Sequence, residues 1–454
     1  MADGLEKAIE KMRADGAPDV AIANFRHYYE LLAGGDTGTI AEDEIEPAGD
    51  LPSADELPEP GDEGRQALER AVVIRLNGGL GTSMGMTGPK ALLEVKDGLN
   101  FLDVIARQVL RMRERHGIKL PLVLMDSFRT REESLKALEP YPDLDVGEPL
   151  DFLQGRVPKI LADSLEPAEW PDDPELEWAP PGHGDLYTSL VTSGTLEQLI
   201  EDGYEYAFVA NSDNLGAVLE PRILAWFARQ QLPFAMEVLR RSESDRKGGH
   251  IARRKGGGLV LRESAQVRDE DAGAFQDISR HRFFNSNNLW LNLRTLARVL
   301  DDRDGVLGLP MIVNRKTLDP GDASSPAVYQ LETAMGAAID VFEGAAAIEV
   351  GRARFAPVKT TNDLLVVRSD AYELTAEAEM RLVRDEPPLV DLDSEHYKLV
   401  RDFDAHFPAG PPSLKDCDRL EVDGDVVFGA GVVVRGSVRI EGDRRIEGGA
   451  VLEG

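Results

Sequence analysis

Val72-Val73-Ile74-Arg75-Leu76-Asn77-Gly78-Gly79-Leu80-Gly81-Thr82-Ser83-Met84-Gly85-Met86-Thr87-Gly88-Pro89-Lys90 is the stretch that decides how this 454-residue chain is read. A short apolar β-type segment runs directly into a loop with five glycines and closes on one lysine. Glycine permits positive φ and close backbone approach, so successive N–H groups can converge on phosphate oxygens. Lys90 adds a full positive charge where a triphosphate is anionic. The loop therefore predicts a nucleotide cradle. It is neither of two familiar phosphate loops. G-x-x-x-x-G-K-[ST] fails because Pro89 separates Gly88 from Lys90 and Ala91 follows. G-x-G-x-x-G fails because Gly79, Gly81 and Gly85 are spaced one residue too widely.

Outward from the loop, β-type and helical segments alternate from about Ala71 to Asp370. Val72–Leu76, Leu120–Met125, Tyr206–Ala210 and Phe234–Leu239 read as strands; Phe101–Arg113, Arg131–Leu138 and Gly194–Glu201 read as helices between them. Such alternation predicts a mostly parallel sheet covered by helices, with ligands beyond the carboxyl ends of its strands. The glycine loop and Asn211-Ser212-Asp213-Asn214 both fall at such ends. Before the loop, Leu5, Ile9 and Met12, then Phe25, Tyr28, Leu31 and Leu32, recur at helical spacing and predict an amphipathic helical pair. The acidic, Pro-rich stretch from Asp36 to Gly64 predicts an extended connector with little regular structure. From about Asp418 the chain alternates Leu420, Val422, Val426, Phe428, Val432, Val434, Val438 and Ile440 with small or charged residues, punctuated by glycines. That pattern resembles a parallel β-solenoid. The expected domains are residues 1–70 (helical extension and acidic linker), 71–385 (catalytic) and 386–454 (linker and short solenoid).

A formal net charge of −31 argues against duplex nucleic acid and anionic membranes as partners, since both need a basic face. For polyanionic substrates it requires that scarce lysines be concentrated and a divalent cation recruited. The single cysteine, Cys417, excludes a disulfide framework and cysteine-rich zinc sites. No signal peptide and no apolar run near membrane-spanning length is seen, so a cytoplasmic protein is expected.

The loop is similar to the L-N-G-G-L-G-T-S-M-G-x-x-G-P-K signature of the eukaryotic-type UTP–glucose-1-phosphate uridylyltransferases. Four further strings carry the same resemblance. Glu205 to Gly216 matches E-Y-x-F-V-x-N-x-D-N-L-G, with Ser212 where isoleucine is usual and its side chain expected to point away. Pro180 to Tyr187 matches P-P-G-H-G-D-[IL]-Y, Asn285 to Trp290 resembles N-T-N-N-L-W, and Phe355 to Leu364 resembles F-x-P-V-K-T-T-x-D-L. A weaker match is Phe152 to Lys159, similar to F-x-Q-x-x-x-P-R. Met86 replaces a usual cysteine, and Asp126 a usual asparagine.

The resemblance implies a GT-A-like or Rossmann-like α/β domain with a C-terminal left-handed β-helix, which serves subunit contacts in some members. A homo-oligomer through this tail, which is shorter than usual, is thus the expected protein partnership. It implies transfer of uridylyl from UTP to glucose 1-phosphate, in which the sugar phosphate attacks the α-phosphorus and expels pyrophosphate. The nucleophile is already an anion, so no general base is needed; lysines and Mg²⁺ align and neutralise two polyanions. By the same likeness Lys90 and Lys359 are catalytic and Asp213 is the metal ligand. Leu76, Asn77, Gly78, Gly79, Lys90, Gln154, Gly182, Asp213 and Lys359 bind UTP. Gly78, Gly79, His183, Asn211, Ser212, Asp213, Asn287 and Glu332 hold the sugar phosphate. Gln154 suits the uracil edge because an amide donates and accepts together, and asparagines suit sugar hydroxyls for the same reason. Two rival readings are a pyrophosphorylase for another sugar 1-phosphate, such as N-acetylglucosamine 1-phosphate, and a non-catalytic nucleotide-binding assembly protein. The first is disfavoured by Asn77 to Ser83, and the second by the presence of both Asp213 and Lys359.

Overall fold

The computed structural model describes residues 2–454, which group into two compact units. The first joins Met1–Ile74, Asp151–Val209 and Glu220–Val350; the second joins Arg75–Leu150, Ala210–Leu219 and Gly351–Gly454. Two strands, Ala71–Leu76 and Tyr206–Asn211, begin in the first unit and end in the second.

In the first unit, the strand Phe283–Asn292 organises a mixed sheet flanked by helices. It pairs antiparallel with Tyr206–Asn211, Phe208 opposite Trp290, and antiparallel with Phe234–Arg240, Ala235 opposite Trp290. Phe234–Arg240 in turn pairs parallel with Ala346–Glu349. His250–Arg254 forms a hairpin with Leu259–Arg262 and meets Phe284 through His250. The sheet is therefore mixed, as expected, but these strands pair mainly antiparallel where a mostly parallel sheet was expected. Parallel pairing needs a crossover of a dozen or more residues. The residues beyond Arg240 instead connect strands by tight turns such as Lys255–Gly258, which reverse the chain.

The N-terminal pair is present as Ala2–Ala14 and Asp19–Ala33. Leu5, Ile9, Met12, Phe25 and Tyr29 are buried together with Ile160 and Met311, so the helical stripes face a core. The acidic stretch that follows is more structured than its composition suggests. Ile45–Pro47 is an edge strand on His250–Arg254, and Gly61–Glu69 is a helix. This helix lies so close to Pro221–Arg229 that a Cβ at Gly64 would stand 2.8 Å from Ala225 Cβ. Glu42 explains why the stretch is anchored. Its carboxylate accepts from the fully buried Arg262 (2.6 Å) and from Arg280 (2.7 Å), while Asp271 takes Arg262's other nitrogen at 3.0 Å. An extended, polar segment is thus fixed by its share in neutralising a fully buried guanidinium.

In the second unit, Leu122–Asp126 is buried along its whole length. It begins two residues later than expected because Leu120 adopts φ 39°. The helix Phe101–His116 opens on a reciprocal cap between Asn100 and Asp103 and stops at Gly117, φ 67°. The tail is a parallel sheet, with Leu389–Leu392, Ser413–Asp423, Val433–Glu441 and Val451–Glu453 in order; Val426–Phe428 and Arg444–Ile446 form a separate parallel pair. Leu420, Val426, Phe428, Val432 and Val434 are among its buried residues, as the alternation predicts. No helix among the described residues is long and apolar enough to cross a membrane.

Removing one partner of a buried ion pair leaves an uncompensated charge and costs about 3–5 kcal/mol. Glu42→Ala is accordingly expected to destabilise the protein by that order, measured as a shift in the urea unfolding midpoint. A loss within about 0.5 kcal/mol, the range of ordinary surface changes, would show the acidic stretch to be a passive connector after all.

Candidate active site

The second unit holds the glycine loop together with Asp213 and Lys359. The loop leaves its strand at Leu76 and returns at Pro89–Lys90. Leu80 bridges Pro89, and the Lys90 N–H donates to the Gly79 carbonyl at 3.0 Å. Of the five glycines only Gly85 adopts positive φ (74°). Gly81 matters for a different reason: a Cβ there would stand 2.5 Å from the Met86 sulfur, so that side chain would have to move. A Cβ on Gly79 would meet nothing within 4 Å, so open space surrounds that part of the loop. Asn77 is buried, and its amide donates to Asp126 (2.7 Å) and Ser134 (2.8 Å). Its backbone N–H also bonds the Met125 carbonyl at 2.7 Å. Asn77 thus fixes where the loop begins, and Asp126, in place of the usual asparagine, is the acceptor that fixes it.

Asp213 is gripped at both ends. Its carboxylate meets Lys90 Nζ at 2.6 Å, with both side chains about four-fifths buried. Its carbonyl accepts the Val358 N–H at 3.1 Å, and Asn214 bridges Pro357. That bridge brings Lys359 to the segment bearing Asp213. Asn214 Oδ1 accepts from Ala356 (2.9 Å) and Gly216 (3.2 Å), locking the turn. Lys359 is exposed and makes no ion pair among the described residues; its own N–H and that of Thr360 bond Asp363, which caps the helix Thr361–Arg368. Asn211 ends its strand, where its carbonyl takes Arg75 at 3.3 Å, and the Ser212 N–H bonds the Leu76 carbonyl at 3.0 Å. The Ser212 hydroxyl is buried with no hydrogen-bond partner among the described residues.

The other candidates lie in the first unit. Gly182 adopts φ 79°, and a Cβ there would stand 2.5 Å from the Thr333 carbonyl oxygen; at Gly184 it would stand 2.2 Å from Thr333 Oγ1. These glycines let the Pro180–Tyr187 segment lie against Ala327–Thr333, the strand that carries Glu332, and Thr333 N–H closes the contact on Pro181 at 3.0 Å. His183 Nδ1 accepts the Met335 N–H at 3.0 Å, so the ring is neutral with its proton on Nε2. Burial pushes its pKa down to about 4. Asn285 to Trp290 lies within a strand. Its register shifts opposite Glu237 and Val238, leaving Ser286 and Asn287 as an excursion, with Asn287 at φ 59°. Asn285 and Asn287 bond each other, and Glu237 holds Asn288 and Trp290 from below at 3.0 Å each. Gln154 follows the strand Asp151–Leu153 and is partly buried.

Two positioning groups escaped the sequence reading. Asp185 is buried and accepts from the Gly155 N–H at 2.6 Å and Ser189 Oγ at 2.7 Å, so it sets the turn after Gln154. Burial raises its pKa against those bonds. Arg75, buried beside the loop, donates to the Ala217 carbonyl as well as to Asn211, tying the two ends of the Asp213 turn. An apolar strand gives no local sign that its one arginine does this.

The donor set at Asp213 suits a divalent cation in one circumstance only. It offers one carboxylate and belongs to no group of three or more His, Cys, Asp or Glu ligands among the described residues. Mg²⁺ is commonly held by one or two carboxylates with substrate phosphates and waters, so this site fits it when phosphates are present. A lysine closed on a carboxylate, with an exposed second lysine that has no ion pair among the described residues on a segment tied by backbone bonds to the same turn, suits an arriving polyanion better than a resting surface.

The family model described as UTP--glucose-1-phosphate uridylyltransferase matches residues 22–435, and the chain belongs to that family. It is 42% identical to the enzyme of that name from Hordeum vulgare over 385 residues, covering 84% of this chain and 79% of the relative. The Solanum tuberosum enzyme is 41% identical over 381 residues, 83% of this chain and 78% of the relative. Among solved structures, a mutant UDP-glucose pyrophosphorylase of Leishmania major in complex with UDP-glucose superposes with a TM-score of 0.95 at 45% identity, covering 100% of this chain and 98% of that one. The Trypanosoma brucei protein gives 0.92 at 45% identity, over 99% and 98%.

Two outcomes follow from this geometry. A buried hydroxyl without a partner costs of order 1 kcal/mol or more, so Ser212→Ala is expected to raise the unfolding free energy by about 1 kcal/mol; a loss instead would mean that the hydroxyl is satisfied in solution. His183 is expected to stay neutral across physiological pH. As pH falls below about 6.5 the unfolded chain takes up this proton first, so its share of stability is full above that point and is lost on the way down to about 4. Ring ¹⁵N shifts that titrate near 6.5 would contradict this.

Proposed function

We propose that this chain transfers the uridylyl group of UTP to glucose 1-phosphate, giving UDP-glucose and pyrophosphate reversibly. What supports the reading, beyond family membership, is the contact of Lys90 Nζ with Asp213 at 2.6 Å and the bond from Val358, the residue before Lys359, to the Asp213 carbonyl. The sugar phosphate attacks the α-phosphorus in line, the bond to the β-phosphate oxygen breaks, and pyrophosphate leaves. Nothing has to be deprotonated. Barrier lowering is then a matter of alignment and charge.

Lys90 and Lys359 are assigned to the phosphates of UTP, and the Leu76–Gly79 backbone to the nucleotide. Gln154 and the Gly182 backbone are assigned to the uracil edge. His183, neutral with Nε2–H to donate, is assigned a hydrogen bond to the sugar phosphate and no role as base. Asn211, Ser212, Asn287 and Glu332 complete the sugar-phosphate side. Ser212 contributes there through its backbone, since its hydroxyl is buried. Asp213 would hold Mg²⁺, which supplies charge neutralisation on the phosphates.

The parallel tail reads further as a short left-handed β-helix. From Arg419 onward the offset settles at eighteen residues, Leu420 pairing with Val438, Val426 with Arg444 and Val433 with Val451, as one coil follows another. The last strand leaves Val451 51% exposed, an apolar side chain at an open edge that suits contact with a second copy of the chain.

Pyrophosphate release with UTP and a panel of sugar 1-phosphates tests the reading. Glucose 1-phosphate is expected to be fastest; N-acetylglucosamine 1-phosphate matching it would discard the specificity. Lys359→Ala is expected to lower kcat by two orders of magnitude or more with an unchanged circular dichroism spectrum. A loss below about tenfold, ~1.4 kcal/mol of barrier, removes this lysine from the mechanism.

A further inference from the structure

Far along the chain from the glycine loop, three side chains with ligand chemistry converge at the foot of the tail. His396 lies in the helix Ser394–Tyr397, His406 ends the helix Val400–His406, and Asp425 sits between the strands Ser413–Asp423 and Val426–Phe428. One ligand atom from each lies within 4.8 Å of the other two.

The hydrogen bonds around His406 are informative. Its Nδ1 is 2.6 Å from the Asp402 carbonyl, and a carbonyl can only accept, so Nδ1 carries the proton. In the neutral ring Nε2 then presents a lone pair, and 2.9 Å from it is Asp425 Oδ1, another acceptor. Two acceptors at that separation need a positive species to hold them together. Nδ1–H on a backbone carbonyl is also the arrangement that orients a metal-binding imidazole through its other nitrogen.

The rest of the cluster is built to stay in place. The Asp425 N–H donates to Asp443 Oδ1 at 3.0 Å, and its carbonyl accepts from Arg444 at 2.9 Å. The His406 ring packs against Tyr397, with centroids 4.4 Å apart, and its side chain is 12% exposed. Asp425 is half exposed, leaving an entry path. Around a tetrahedral ion with bonds near 2.0–2.1 Å, neighbouring donor atoms stand about 3.3 Å apart. The His406–Asp425 pair is within a few tenths of that, and His396, which is only partly buried, needs a side-chain rotation to complete it.

We propose that His396, His406 and Asp425 form a binding site for a divalent transition-metal ion of the zinc class. Two imidazoles and one carboxylate are borderline donors that favour such ions over Mg²⁺ or Ca²⁺, with water as fourth ligand. The ion fastens two short helices to the first turns of the parallel tail. It is independent of the metal at Asp213 and of the uridylyl transfer.

The test uses the untagged chain, stripped with chelator and kept in excess Mg²⁺ without nucleotide, so that the lone carboxylate at Asp213 offers Co²⁺ no competing site. One equivalent of Co²⁺ is expected to give the visible absorption of a tetrahedral site, and Zn²⁺ to displace it. His396→Ala, whose side chain makes no hydrogen bond among the described residues, should weaken binding at least about tenfold, and Asp425→Asn should do so as well. Zn²⁺ should raise the Tm of the parent chain but not of His396→Ala, while pyrophosphate release stays unchanged in that variant. Visible bands that are absent, or that persist with equal affinity in both variants, would overturn the site and leave an imidazolium–carboxylate pair in its place.

Discussion

The side chain of Asp213 is held by Lys90 and its carbonyl by the N–H of Val358, and most of what matters chemically in the second unit depends on that double grip. It brings together three segments far apart in sequence: the glycine loop, the turn after the strand Tyr206–Asn211, and the stretch leading into Thr361–Arg368. Charge alone would not achieve this, because an ion pair at a partly solvated surface contributes little by itself. Backbone bonds supply the rigidity. Arg75 and Asn214 do the same for the turn by occupying carbonyls and N–H groups that would otherwise be left unsatisfied. The ion pair then sets polarity, and the backbone sets position.

The first unit solves a different problem, that of presenting polar groups from an apolar sheet. At Asn287 the strand gains an excursion and a positive φ, which turns asparagines out of a core strand without ending it. Glu237 beneath is fully buried, yet Asn288 and Trp290 satisfy both its oxygens. Around His183 the means is glycine: Gly182 and Gly184 let two backbones touch where any side chain would intrude. Each group is rigid because something unreactive beneath it is fully bonded.

Much of this was legible in the sequence, where local pattern and tertiary role agree. The glycine loop, the helix Arg131–Leu138 and the strand starting at Phe234 follow from periodicity and turn chemistry, and their bounds differ by at most a few residues. The family likeness carried the activity further than periodicity could. Two of the failures share one cause, partners remote in the chain. Residues 36–64 look like an acidic tether until Glu42 meets Arg262, 220 residues away. Asp185 looks like one more loop carboxylate until Gly155 donates to it. The antiparallel sheet beyond Arg240 depends on turn-type connections that the alternation of strand and helix does not register.

The chain passes between its two units at residues 74, 150, 209, 219 and 350, so neither is a continuous stretch. During synthesis the first cannot be completed before Val350 has emerged, nor the second before the tail. At ribosomal speeds of about 5–20 residues per second, that leaves Ala71–Leu76 waiting roughly ten to twenty seconds for its later neighbour Tyr206–Asn211. Unfinished strands over such an interval invite self-association. The large excess of carboxylates, a handicap for an enzyme of polyanions, then has a use before folding is complete: it keeps nascent copies apart.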